Sequence, residues 1–232
     1  MNIQDIISEN VTTDWKPILI KLLQPHKDII NLKLNNEYST YDEKIIFPNK
    51  NLIFSSFNYF NIKDFKCLII GQDCYHTSDV ANGLCFSHYP QKNNKLQPSL
   101  VNIFKELNRN EKKTRSNPDL SDWAKQGCLL LNMSLIVLQS TPNSHAHIWN
   151  DYSHAHIWND YLHDIVKWNA ENCENVCIML WGNFAQKTEK YFINTNNKIL
   201  KTGHPSHLNT KHPFIGCNHF EICKSYHDIN FI

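Results

Sequence analysis

Apolar positions recur along this chain in two rhythms, which predict helices and strands in alternation. Ile18, Leu19, Leu22 and Leu23 fall at helical spacing behind Thr13-Asp14-Trp15-Lys16-Pro17, a run that reads as a capped helix entry. From there to about Lys63 the chain reads as loop-rich, with Phe47-Pro48 and an aromatic cluster of Phe54, Phe57, Tyr59 and Phe60. Short apolar runs then predict strands at 66–70, 128–131, 176–180 and 198–201. Helices are predicted between and after them. One opens at Pro98-Ser99 and carries Leu100, Ile103, Phe104 and Leu107. A long one carries Ile157, Tyr161, Leu162, Ile165, Val166 and Trp168, and another runs through Phe184, Tyr191 and Phe192. Apolar strands alternating with amphipathic helices predict an α/β fold, a single domain over 1–232 with a central, mostly parallel four-stranded sheet flanked by helices on both faces.

One segment breaks this regularity. Residues 144–152 read SHAHIWNDY, and 153–161 repeat the same nine letters. Nine residues turn an α-helix by about 900°, half a revolution beyond whole turns, so Trp149 and Trp158 cannot fill equivalent places on one helix. The second copy runs on into the helical pattern ending at Trp168, so the first is expected as a displaced surface loop.

Composition narrows the picture. The 232 residues are 41% hydrophobic and 19% charged, as in a globular chain, and the formal net charge is only +1. Any polyanion must therefore be held by local groups rather than by a global field. The eight cysteines are scattered and several sit in apolar runs such as Cys67-Leu68-Ile69-Ile70, which reads as buried reduced thiols rather than a disulfide framework. No apolar run nears the roughly 18 residues of a membrane span. With no signal peptide legible, an intracellular place, nucleus or cytoplasm, is expected. His145, His147, His154, His156 and His163 crowd one region, but the repeat duplicates two of them and no cysteine or carboxylate completes a zinc pattern, so no metal is expected.

The chemistry lies where the strands end. The first predicted strand runs into Gly71-Gln72-Asp73-Cys74-Tyr75-His76, the second into Asn132, the third into Trp181-Gly182-Asn183 and the fourth into Thr202-Gly203-His204-Pro205-Ser206. In open parallel sheets the crevice beyond the carboxyl ends of the strands takes the ligand. Such a sheet would gather Asp73, Asn132 and His204. Each alone reads more readily as a cap or turn residue, but a carboxylate, an amide and an imidazole together suit a ligand that develops charge and offers a polar edge.

These segments resemble the family-1 uracil-DNA glycosylases. Gly71-Gln72-Asp73-Cys74-Tyr75-His76 is similar to that family's water-activating loop, usually GQDPYH. Ala81-Asn82-Gly83-Leu84-Cys85-Phe86-Ser87 resembles the segment bearing the base-stacking phenylalanine, and the run from Trp123 to Asn132 the strand bearing the uracil-reading asparagine. Leu180-Trp181-Gly182-Asn183 resembles the backbone-clamping loop, His204-Pro205-Ser206-His207-Leu208 the minor-groove loop HPSPL, and Gly216-Cys217-Asn218-His219-Phe220 the closing GCxHF segment. The order holds from about Trp15 to about Tyr226.

The resemblance implies a DNA-repair hydrolase that flips uracil out of DNA and cleaves its N-glycosidic bond, without metal or cofactor. Asp73 and His204 would be catalytic, the first orienting water and favouring the sugar cation, the second donating to uracil O2. The Gln72 backbone, Tyr75, Phe86 and Asn132 would bind uracil; Tyr75 would exclude a thymine methyl. Ser99, Gly182, Asn183, Ser206 and Leu208 would hold DNA, Leu208 filling the gap left by the flipped nucleotide. The implied partner is uracil-containing DNA, single- or double-stranded. A monomer is expected; any replication or repair proteins it meets are unknown. Cys74 stands in place of the family's usual proline, only Pro98 remains of a proline-rich approach to Ser99, and Asn183 and His207 replace serine and proline. These departures predict looser DNA binding with chemistry retained. The alternatives are a non-catalytic DNA-binding or polymerase-accessory protein of the same fold, and a glycosylase of broader specificity.

Overall fold

The computed structural model describes residues 1–91, 95–110, 113–142, 144, 157–207 and 213–232. In chain order the elements are α1 (Ile3–Asn10), α2 (Trp15–Leu23), α3 (Lys27–Thr40), β1 (Ile46–Phe47), β2 (Cys67–Gly71), α4 (Pro98–Leu107), α5 (Ser121–Ala124), β3 (Cys128–Asn132), β4 (Val137–Leu138), α6 (Asn159–Asn172), β5 (Cys177–Trp181), α7 (Gly182–Gln186), β6 (Lys198–Thr202) and α8 (His219–Tyr226). Four strands form one parallel sheet in the order β3-β2-β5-β6, and β1 pairs antiparallel with β4 beside it. No helix among the described residues is long and apolar enough to cross a membrane.

Burial on both faces explains why the central strands are apolar runs rather than alternating ones. Side chains of successive residues point to opposite faces of a strand. Leu68, Ile70, Leu129, Leu131, Ile178 and Leu180 accordingly join one core, with Trp15, Leu19, Ile30, Leu34, Tyr161 and Ile165 from α2, α3 and α6. Cys67, Ile69, Cys128, Leu130, Cys177 and Met179 join the other, with Leu100, Ile103, Phe104, Trp123 and Phe220 from α4, α5 and α8. Helices thus cover both faces, as the periodicity predicts.

Two expectations change. The stretch to Lys63 is not mainly loop: α3 occupies fourteen residues of it and buries Ile30, Leu34 and Glu37 at i, i+4 and i+7. Ile29 and Leu32 lie exposed on the same helix, at 49% and 58%, which smears the apolar stripe that would mark it in the sequence. The helix expected through Phe184, Tyr191 and Phe192 stops at Gln186 and gives way to a 3-10 turn at Glu189–Tyr191. Thr188 Oγ1 donates to the Ala185 carbonyl at 2.7 Å, a local bond that competes with the helical ladder.

In the repeat, the second copy's Ile157, Trp158 and Tyr161 are buried, with the Trp158 ring edge-on to Phe54 at 6.3 Å. Tyr161 OH donates to the Leu19 carbonyl across the core at 2.9 Å. The second copy therefore leads into α6 as expected. The first copy beyond Ser144, expected as a displaced surface loop, lies outside the described residues.

Candidate active site at the strand ends

β2 and β3 run in register, which sets Gly71 opposite Asn132; in the same way β5 and β6 set Trp181 opposite Thr202. The loops leaving these ends are tied to each other. Met133 N donates to the Gly71 carbonyl at 3.0 Å, Ser134 N to the Gln72 carbonyl at 2.9 Å, and Ser140 N to the His76 carbonyl at 2.8 Å. The result is a cavity of about 330 Å³ lined by Gln72, Asp73, Tyr75, Phe86, Ser99, Asn132, His204 and Ser206, with Gly71, Cys74, His76, Leu84 and Pro142 completing the wall. The fold brings together Asp73, Asn132 and His204, which lie tens of residues apart in the chain.

Asn132 is 3% exposed, and its Oδ1 has no hydrogen-bond partner among the described residues. Its Nδ2 donates to Cys74 Sγ at 3.4 Å, while that thiol faces the carbonyls of Ser134 at 3.7 Å and Leu135 at 3.6 Å. Burial first, and the Asp73 charge second, push the Cys74 thiol up to about 12, so it keeps its proton. With the S–H turned to a carbonyl, the sulfur lone pair meets the amide N–H. That fixes the carboxamide with Oδ1 and the other amide hydrogen left for a ligand. A buried acceptor without a donor costs free energy; here it lies in a cavity wall. Space for it exists because residue 71 is glycine: a Cβ there would stand 2.3 Å from Asn132 Oδ1 and 2.7 Å from Cys85 Cβ.

The aromatic walls are equally fixed. Phe86 has φ of 59°, a left-handed conformation seldom adopted by a bulky residue. Cys85 N donates to the Leu130 carbonyl at 3.1 Å just before it. Tyr75 OH donates to the Phe86 carbonyl at 3.1 Å, and the Tyr75 ring meets His88 edge-on at 5.7 Å. Burial raises the Tyr75 hydroxyl pKa, keeping it a neutral donor. Phe86 lies 5.4 Å from Trp181 and 5.9 Å from His204.

His204 has a defined tautomer. Ser206 N donates to its Nδ1 at 3.0 Å, so the ring proton sits on Nε2. Burial lowers its pKa below the ordinary value, favouring the neutral ring. Gly182, at φ of 85°, packs so closely that a Cβ would stand 2.8 Å from His204 Cβ. On α4, Ser99 lines the cavity and Asn102, one turn on, donates from Nδ2 to the Pro205 carbonyl at 2.7 Å.

Not every expected residue meets the cavity. Asn183 lines a neighbouring cleft with Gln186, Lys201, Thr202, Gly203 and Pro213, and Gly182 touches His204 without lining the cavity itself. Leu208, His145, His147, His154 and His156 lie outside the described residues. His163 bonds through Nδ1 to Tyr191 OH at 3.1 Å. Gly71, Cys74 and Asn102 are further working parts of the site. Gly71 and Cys74 lie in the Gly71–His76 segment, and Asn102 stands at helical spacing from Ser99.

The family model of the uracil DNA glycosylase superfamily matches residues 57–226. A uracil-DNA glycosylase of Dictyostelium discoideum is 46% identical over 192 residues, covering 81% of this chain and 52% of its own length, so the chain spans about half of that relative. One of Borrelia turicatae (strain 91E135) is 41% identical over 202 residues, covering 86% of this chain and 85% of its own. Among solved structures, mimivirus uracil-DNA glycosylase has a TM-score of 0.81 at 19% identity, over 95% of this chain and 84% of that one. At that identity the likeness speaks for the fold alone.

Proposed function

The chain belongs to the uracil DNA glycosylase superfamily, and on that premise we propose that it is a uracil-DNA glycosylase, one catalytic domain that flips uracil out of DNA and hydrolyses its N-glycosidic bond. The observation that carries the reading is the buried Asn132 Oδ1, without a hydrogen-bond partner among the described residues, in a cavity shared with Asp73, Phe86 and His204. Uracil offers N3–H to that oxygen and O4 to the remaining amide hydrogen; cytosine offers the reverse pattern.

The chemistry follows from charge. As the C1′–N1 bond breaks, its electron pair leaves with the base and spreads onto O2, while the sugar becomes cationic. His204, holding its proton on Nε2, donates to O2 from a neutral ring. The Asp73 carboxylate stabilises the sugar cation and accepts the proton of the water whose oxygen bonds to C1′. Phe86 stacks on the base, and the Gln72 backbone completes its contacts. Tyr75 fills the space beside C5, where thymine carries its methyl. Ser99, Ser206 and the backbone at Gly182 and Asn183 hold phosphates, which needs no large positive charge. Leu208 fills the gap left in the duplex; extrusion costs a few kcal/mol, so a wedge and a tight pocket work together. The substrate is uracil in single- or double-stranded DNA, met inside the cell by a monomer.

A panel of oligonucleotides containing uracil, cytosine, a thymine·guanine mismatch or no lesion tests this. Abasic sites should form with uracil alone, and Tyr75→Ala should add weak release of thymine. A wild-type protein that binds DNA yet leaves uracil in place would be a non-catalytic member of the fold.

A further inference from the structure

We propose that His219 is a positioning residue for uracil excision: from the first turn of α8 it brackets Trp181 and the Lys201 backbone, and through them sets Phe86 and His204. The inference rests on the proposed activity, to which the Gly216-Cys217-Asn218-His219 segment contributes no atom of the cavity wall.

The segment is nonetheless held firmly. Glu106 of α4, 5% exposed, accepts from Gly216 N at 2.6 Å and Asn218 N at 2.8 Å, and pairs with Arg109 Nε at 3.3 Å. Asn218 takes φ of 58°, turning the chain so that His219 is directed inward, 3% exposed. There its two ring nitrogens do opposite work. Nδ1 accepts from Trp181 Nε1 at 3.0 Å, so the ring proton sits on Nε2, and His219 meets the Lys201 backbone with a second hydrogen bond. Burial lowers its pKa to about 4, which keeps the ring in this neutral form.

Both partners lead to the reacting groups. The Trp181 ring is gripped edge-on by Phe214 at 5.0 Å and Phe220 at 5.9 Å, and meets Phe86 at 5.4 Å on its way to the base. Lys201 lies three residues before His204, on the strand whose register with β5 is set by Leu180 opposite Lys201 and Trp181 opposite Thr202. An apolar residue at 219 would strand an indole N–H and a carbonyl at once, and both would seek new partners by moving. Displacements of about 1 Å remote from the chemistry cost on the order of a hundredfold in rate.

The test is steady-state kinetics on a uracil-containing oligonucleotide, with inhibition by free uracil, for wild type, His219→Leu, His219→Gln and Trp181→Phe. Each is assayed below its own unfolding transition. Glutamine carries an acceptor and a donor; phenylalanine keeps a ring against Phe86 but has no N–H. His219→Leu should lower kcat between about 10- and 100-fold with KM little changed. His219→Gln should recover most of that, and Trp181→Phe should show part of the loss together with weaker inhibition by uracil. Wild-type kcat in folded His219→Leu, or a glutamine variant no better than leucine, overturns the inference. If His219→Leu does not fold, Trp181→Phe decides, and wild-type kcat there overturns it. A wild type that releases no uracil sinks the activity itself, a distinct result.

Discussion

At the scale of single residues, the site works by fixing where protons are. The Ser206 N–H occupies His204 Nδ1 and puts the ring proton on Nε2; burial favours the neutral ring by lowering its pKa. His204→Ala should therefore raise the barrier by about 3–4 kcal/mol, a loss of roughly 10²–10³ in kcat, while uracil-independent DNA binding persists. An NMR titration of the His204 ring should place its midpoint below the ordinary 6.5; a midpoint above that value would contradict a neutral donor. Asp73, Asn132 and His204 were legible because each follows an apolar strand and belongs to a recognisable segment. The Asn132–Cys74 contact was not. Cys74 read as a departure that loosens a loop, whereas its thiol packs beneath the amide and orients it.

Elements hold these groups through backbone proximity. β2 and β3 approach so closely at Gly71 and Asn132 that the glycine is a condition for the amide's position. Gly71→Ala should push the carboxamide aside and reduce kcat/KM on uracil by roughly a hundredfold, with the fold intact by circular dichroism. An alanine variant with wild-type kcat/KM would contradict that reading. Strand–helix alternation made the sheet legible, since runs buried on both faces have no other soluble home. α3 was missed because its apolar residues are split between a buried stripe and exposed Ile29 and Leu32. The role proposed for α8 is hidden because Glu106 of α4 and His219 meet their partners through backbone and indole groups that no sequence spacing announces.

For the whole molecule, charge and burial set the conditions under which it works. His219 titrates near 4 when folded and near 6.5 when unfolded, so its contribution is complete above pH 6.5 and is lost as pH falls toward 4. The loss is about 3 kcal/mol. Urea unfolding at pH 7 and pH 4.5 should show a smaller fall in stability for His219→Gln than for wild type; equal falls would contradict it. With a formal charge of +1 and the phosphate contacts proposed for hydroxyl and backbone groups, DNA affinity should depend weakly on salt. The slope of log K against log[salt] should be below about 3 in magnitude, measured by fluorescence anisotropy, and a much steeper slope would point to a cationic surface instead. The central claim is that one cavity reads one flat pyrimidine with an amide, an aromatic ring and an imidazole. A crystal structure of the protein soaked with free uracil tests it most directly. Uracil should lie on Phe86, with N3 in hydrogen-bond range of Asn132 Oδ1 and O2 in range of His204 Nε2; an empty cavity at saturating uracil, or a base turned away from Asn132, would contradict it.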